Sequence, residues 1–119
     1  MSKNLTITRA NTQTVNLNVT NASSSHAIAA GDKIYFTAKD GYDDDLTDSS
    51  AVIAKTMDAE DIMDPETGLV TFTITAQEAN VIPGKYVYDL VLKQADGDRI
   101  TLLDGKLKVT PAATLRGVN

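Results

Sequence analysis

The sequence contains no cysteine and no tryptophan, a single histidine, and only four tyrosines and two phenylalanines. Without cysteine there is no disulfide, no thiolate metal site and no thiol nucleophile, so the fold must stand on packing alone. The lone histidine, His26, lies in a Ser- and Ala-rich stretch at 21–31 that reads as a loop or a poor strand. General acid–base work at neutral pH usually recruits histidine or a carboxylate of raised pKa. The adjacent Ser25 cannot point at His26 as a nucleophile must at its base, and no glycine elbow surrounds any serine. A solvated loop histidine is the plainer reading, and no catalytic residue is assigned.

Basic residues are also short. Eleven stand against 16 acidic ones, for a net charge of −5, and they are scattered along the chain with no run that would track a phosphate backbone. Nucleic acid and an anionic membrane surface are therefore not expected partners. The longest apolar stretches are a few residues, too short to span a bilayer. Met1-Ser2-Lys3-Asn4 leads straight into an alternating segment with no apolar h-region, so no signal peptide is predicted and the expected site of synthesis is a cytoplasm, without secretion. The sequons at Asn4, Asn18 and Asn21 then read as accidental. Glycines fall at turns, not before helices, so no phosphate-cradling loop is present and no cofactor is expected.

What the chain does have is alternation. Its 119 residues suit one domain, expected as a β-sandwich over 1–110 followed by a loosely held tail at 111–119. Leu5 and Ile7; Val15, Leu17 and Val19; Ile34, Phe36 and Ala38; Val70, Phe72 and Ile74; and Tyr86, Tyr88, Leu90 and Leu92 each alternate with polar or small residues. A two-residue period puts every second side chain on one face of a strand. A last run holds Ile100 and Leu102, then Leu107 and Val109, and 51–56 adds a shorter strand. About seven strands with one apolar face each imply two packed antiparallel sheets. Asp96-Gly97 predicts a hairpin turn. Asp104-Gly105 suits either a second hairpin or, preferably, a bulge that re-aims one long strand. Asp64 to Gly68 reads as a turn, Thr75-Ala76-Gln77-Glu78 as a capping box that opens one helical turn, and Asp58 to Met63 as another such turn.

Candidate binding residues are few. The acidic loop at 40–50 offers Asp40, Asp43 and Asp45 as weak calcium ligands, but its spacing lacks the closing carboxylate of a helical Ca²⁺ loop. Solvated, mutually repelling carboxylates are the simpler reading, and no metal is assigned. Tyr35, facing outward, and Tyr42, in that loop, are free to contact a partner or stack on a sugar. Val87 and Val91 fall on the expected wet face of their strand. With Tyr35 and Leu69 they read equally as an apolar patch that another subunit covers and as small apolar side chains that merely reflect strand propensity.

The segment 31–109 resembles the small β-sandwich domains of tailed-bacteriophage virions, notably the N-terminal domain of baseplate upper proteins and related tail- or head-attached proteins. The resemblance rests on Asp32-Lys33-Ile34-Tyr35-Phe36-Thr37-Ala38-Lys39, on the alternating Thr71, Thr73 and Thr75, on Pro83-Gly84-Lys85-Tyr86-Val87-Tyr88 and on the hairpin that follows. It implies an Ig-like antiparallel β-sandwich and a non-catalytic structural protein of the virion, an adaptor or decoration module. Its partners would be other virion proteins and further copies of itself. An Ig-like surface or carbohydrate-binding module, assisted by Ca²⁺ through the acidic loop, is the alternative.

Overall fold

The structure, a computed structural model, describes residues 3–19, 30–42, 46–64 and 67–118. His26, Ser25, Asp43, Asp45 and part of the turn at 64–68 lie outside the described residues. The chain forms seven strands and one short helix: β1 (Leu5–Thr8), β2 (Gln13–Asn18), β3 (Lys33–Lys39), β4 (Ile53–Asp58), α1 (Ala59–Ile62), β5 (Leu69–Ile74), β6 (Gly84–Lys93) and β7 (Arg99–Thr110). One sheet runs β1-β7-β6-β3-β4 and the other pairs β2 with β5. The fold is all-β. With β6, β7 and β3 together in one sheet, β4 added beside β3, and β2 with β5 opposite, the strand order is that of an immunoglobulin-like sandwich.

The strands form where alternation expects them. β2, β3 and β5 bury every second residue, because that spacing puts Val15, Leu17, Ile34, Phe36, Ala38, Val70, Phe72 and Ile74 on inward faces. Phe36 of β3 meets Phe72 of β5 across the gap between the sheets, with ring centroids 5.1 Å apart, and Tyr88 of β6 at 5.5 Å. Around them close Leu17, Leu90, Leu92, Leu102, Leu103, Leu107 and Val109. Each such side chain taken out of water stabilises the fold by about 1.5–3 kcal/mol.

Two features depart from simple alternation. Residues 99–110 are a single strand, as the preferred reading of Asp104-Gly105 has it, but the bulge sits at Leu102, where the pairing slips between Leu90 and Val91 of β6. The extra residue lets Leu102 and Leu103 both face the core, which an unbroken strand forbids. The pairing is also not wholly antiparallel, since β1 runs parallel to β7 with Leu5 opposite Leu107. Side-chain period reports a face, not the direction of the neighbour.

The turns are held by named groups. At Asp96-Gly97, Gly97 N–H donates to Gln94 O at 2.9 Å and Gln94 N–H to Asp98 O at 2.8 Å, closing the hairpin. In the capping box Thr75 N–H donates to Glu78 Oε1 at 2.9 Å and Glu78 N–H to Thr75 Oγ1 at 3.2 Å. That box encloses a single turn that ends at Asn80. Lys55 Nζ reaches both Glu78 oxygens at 2.8 Å. Burial works against the charge on Glu78, but the bonds from Lys55 and Thr75 outweigh it and hold the carboxyl below its usual pKa. The hydroxyl of Tyr86, at the start of β6, donates to Ile82 O at 2.5 Å. This is the corner that immunoglobulin-like folds make at that place.

The N-terminal arm is pinned to the same sheet. Lys3 N–H donates to Asp104 O at 2.8 Å, and Tyr88 Oη donates to Lys3 O at 2.5 Å. A Cβ on Gly105 would lie 2.0 Å from Lys3 O, so only glycine leaves room for the arm. Burial, and then the charge of Asp104, push the Tyr88 hydroxyl to about 12, so it stays a neutral donor at any ordinary pH.

Candidate functional site

Outward faces of strands decide what a sandwich can bind, because its inner faces are filled. On the five-stranded sheet the outward residues fall in rows set by the register. Lys33, Lys93 and Arg99 form one row across β3, β6 and β7; Tyr35, Val91 and Thr101 form the next. Then come Thr37, Asp89 and Asp104; Lys39, Val87 and Lys106; and finally Lys85 opposite Lys108. With Asp58, the outward residue of β4 opposite Lys33, this face carries seven of the chain's 11 basic side chains. Only three acidic ones, Asp58, Asp89 and Asp104, share it. Along the sequence the cations look scattered, but the structure gathers most of them on one surface of an acidic protein. Scatter along the sequence does not carry over to the surface, because an outward position in one strand and an outward position 50 residues later can be neighbours.

The middle of this face is hollowed into an open groove of about 720 Å³. Tyr35, Val87, Val91 and Asp89 lie along it, with Tyr42, Leu46, Lys39 and Arg99 around them. Tyr42 is 74% exposed and Leu46 98% exposed, so two large apolar side chains stand in water at its rim. Lys39 Nζ is 2.9 Å from Asp48 Oδ1. Burial pushes the Asp89 carboxyl above its ordinary pKa, and the nearby charges of Asp48 and Asp104 add to that, while Arg99 and Lys39 oppose it. Asp89 is thus a half-buried carboxylate amid charges of both signs, beside apolar and aromatic walls. Such a surface suits recognition of a side chain or a chain segment.

The sequence-derived candidates divide. Tyr35, Tyr42, Val87 and Val91 come together in the groove. Leu69 does not: it lies on the outer face of the two-stranded sheet, 41% exposed, opposite Asn18. The four-residue patch is therefore corrected to a groove without Leu69. Val91 is also not the open surface residue its parity suggests, being only 3% exposed. It sits on β6, the central strand of five, between Tyr35 and Thr101 in the register, and larger neighbours leave a small β-branched side chain little area. Asp40 is exposed at the end of β3, and among the described residues no group of three or more acidic or histidine side chains is placed to hold a metal ion. Sequence reasoning missed Asp89, Leu46 and the basic rows. The available signal was the sign of charge at outward positions: five of those on β6 and β7 are Lys or Arg, namely Lys85, Lys93, Arg99, Lys106 and Lys108. No family model matches the chain, and no curated protein is similar to it.

Proposed function

We propose that the chain is a non-catalytic assembly or attachment module, a structural part of a tailed-phage virion, that docks another virion protein on the outer face of its five-stranded sheet. The groove carries this reading: Tyr35, Val87 and Val91 line it, Tyr42 and Leu46 stand exposed beside it, and rows of Lys and Arg flank it. Apolar contacts ringed by charge are how protein surfaces combine affinity with orientation. The flanking cations fit a partner that presents carboxylates around an apolar or aromatic anchor. The virion assignment draws on the resemblance of 31–109.

A nucleic acid is the competing occupant of a basic face. The Asp89–Asp104 row crosses the middle of the surface and would lie against phosphates, which favours a protein. The test is the protein content of gradient-purified particles from cells that express the gene. Peptides of this chain at stoichiometric abundance support the assignment, and its confinement to the particle-free fraction overturns it. The Tyr42→Ala/Leu46→Ala and Lys93→Glu/Arg99→Glu variants should each fold but fail to enter particles. Their normal incorporation would remove the groove from the account. Retention of the wild-type chain on nucleic acid at physiological salt, lost in Lys93→Glu/Arg99→Glu, would favour the competing occupant.

A further inference from the structure

Residues 9–12 carry the chain from β1 in the larger sheet to β2 in the smaller one. Arg9-Ala10-Asn11-Thr12 contains neither the glycine nor the proline that tight crossings favour. Ala10 nonetheless sits in the left-handed region, with a φ of 64°. An alanine Cβ crowds its own backbone there, whereas glycine, and to a lesser degree asparagine, tolerates that conformation. Such strain persists only where the surroundings impose it. Here Ala10 N–H donates to Ala79 O at 2.9 Å, and Arg9 Nε donates to Asn80 Oδ1 at 3.0 Å. The strained residue is thus the joint between β1 and the rest of the sandwich. The seat of β1 lies wholly outside that joint. Leu5–Thr8 pairs with Leu107–Thr110, Ile7 is buried, and Thr110 Oγ1 donates to Ile7 O at 3.2 Å. Lys106 N–H donates to Asn4 Oδ1 at 3.3 Å, Tyr88 Oη donates to Lys3 O, and Gly105 leaves the arm its room.

We propose that two copies of this chain exchange residues 3–8, so that β1 of each completes the larger sheet of the other beside β7. Each contact of the seat joins residues 3–8 to β6 or β7, so a segment from a second copy re-forms it unchanged. Exchange of an identical element is a low-cost route to a dimer. What differs between the two states is the joint. In the exchanged pair residues 9–12 run extended, and Ala10 leaves the left-handed region in both copies. The sequence suits an extended joint. Leu5, Ile7, Val15 and Leu17 keep one two-residue period across 9–12, so β1 and β2 stay in phase when the crossing opens.

This inference goes beyond the groove reading and does not rest on it. In sedimentation velocity over a concentration series the wild-type chain dimerises. Ala10→Gly relieves the closed joint and weakens the dimer by roughly tenfold, with an unchanged circular-dichroism spectrum. Ala10→Pro strengthens it, because the ring forbids a positive φ and favours an extended Arg9. The chain has no cysteine, so introduced thiols report the exchange itself. Thr6 and Lys108 face each other in the β1–β7 pair. Thr6→Cys and Lys108→Cys chains, incubated together and then oxidised, should give covalent heterodimer in excess of either homodimer. Adding Gly105→Ala to the Lys108→Cys chain closes its seat against Lys3 O and should abolish that excess. A wild-type chain that stays monomeric at every concentration overturns the inference. So does a dimer indifferent to both Ala10 variants, or a mixture with no excess of heterodimer. Absence from particles would sink the virion reading and leave the exchange intact, whereas a monomeric chain found in particles would do the reverse.

Discussion

The two sheets share one core and differ in almost everything else. The five-stranded sheet wears seven basic side chains and three acidic ones on its outer face. The two-stranded sheet wears only Thr14, Asn16, Asn18, Leu69, Thr71 and Thr73, with Thr71 Oγ1 donating to Asn16 Oδ1 at 2.9 Å. One outer face is rich in charge, most of it positive, and the strands of the other carry none. In the charged sheet, β1 is short and braced by the Gln13 amide, and β4 turns Lys55 inward onto Glu78. A sandwich thus presents two outer faces of different charge from one fold.

The largest effect should come from cutting the two sheets apart at their shared core. Phe36→Ala removes the ring that meets Phe72 and Tyr88, and a buried Phe→Ala costs about 3–5 kcal/mol. Denaturant unfolding should show a lower midpoint, and amides of β2 and β5 should exchange before those of β6 and β7 if the smaller sheet depends on this contact. Next in size is Gly105→Ala, whose new Cβ would collide with Lys3 O. It should free the N-terminal arm at a cost of about 1–3 kcal/mol, read as rapid exchange of the β1 amides with β2 protection unchanged.

Smaller changes probe the edge of the charged sheet. Lys55→Thr breaks the pair with Glu78, worth about 1 kcal/mol or less at a partly exposed site, and should lower the denaturant midpoint slightly. The smallest effects are two pH dependences of opposite sign. Glu78 has a lowered folded pKa, so its contribution is present above the unfolded carboxyl value and is lost as pH falls through the folded one. Asp89 has a raised folded pKa, so its contribution is complete below the unfolded value and is lost as pH rises through the folded one. Glu78→Gln should therefore lower Tm at neutral pH, with the difference closing in acid. Asp89→Asn should raise Tm at neutral pH, with that difference also closing in acid. A Tm increase on neutralising Glu78, or a decrease on neutralising Asp89, would reverse these assignments.

Much of the fold was readable because alternation in Val15–Leu17, Ile34–Ala38 and Val70–Ile74 directly encodes which face is dry. The capping box and the Asp96-Gly97 turn were readable because they are local. What could not be read needed knowledge of neighbours. Leu102 and Leu103 look like a break in the pattern until the bulge is seen, and β1 gives no sign that its neighbour runs parallel. Val91 has the parity of a wet residue and the burial of a dry one, since parity says nothing about the size of what flanks it. The groove stayed hidden for the same reason, being made from residues of β3, β6 and β7 and the loop at 40–50. The Pro83 to Tyr88 run, the most distinctive part of the resemblance, is accounted for by the Tyr86–Ile82 corner. It therefore reports the fold more than the function.

Particle incorporation of two charge-altered chains tests the contrast between the two faces most directly. Lys93→Glu/Arg99→Glu, on the charged face, should be lost from gradient-purified particles, while Thr73→Lys, on the outer face of β5, should enter them as the wild type does. Equal incorporation of both, or loss of Thr73→Lys alone, would contradict the account.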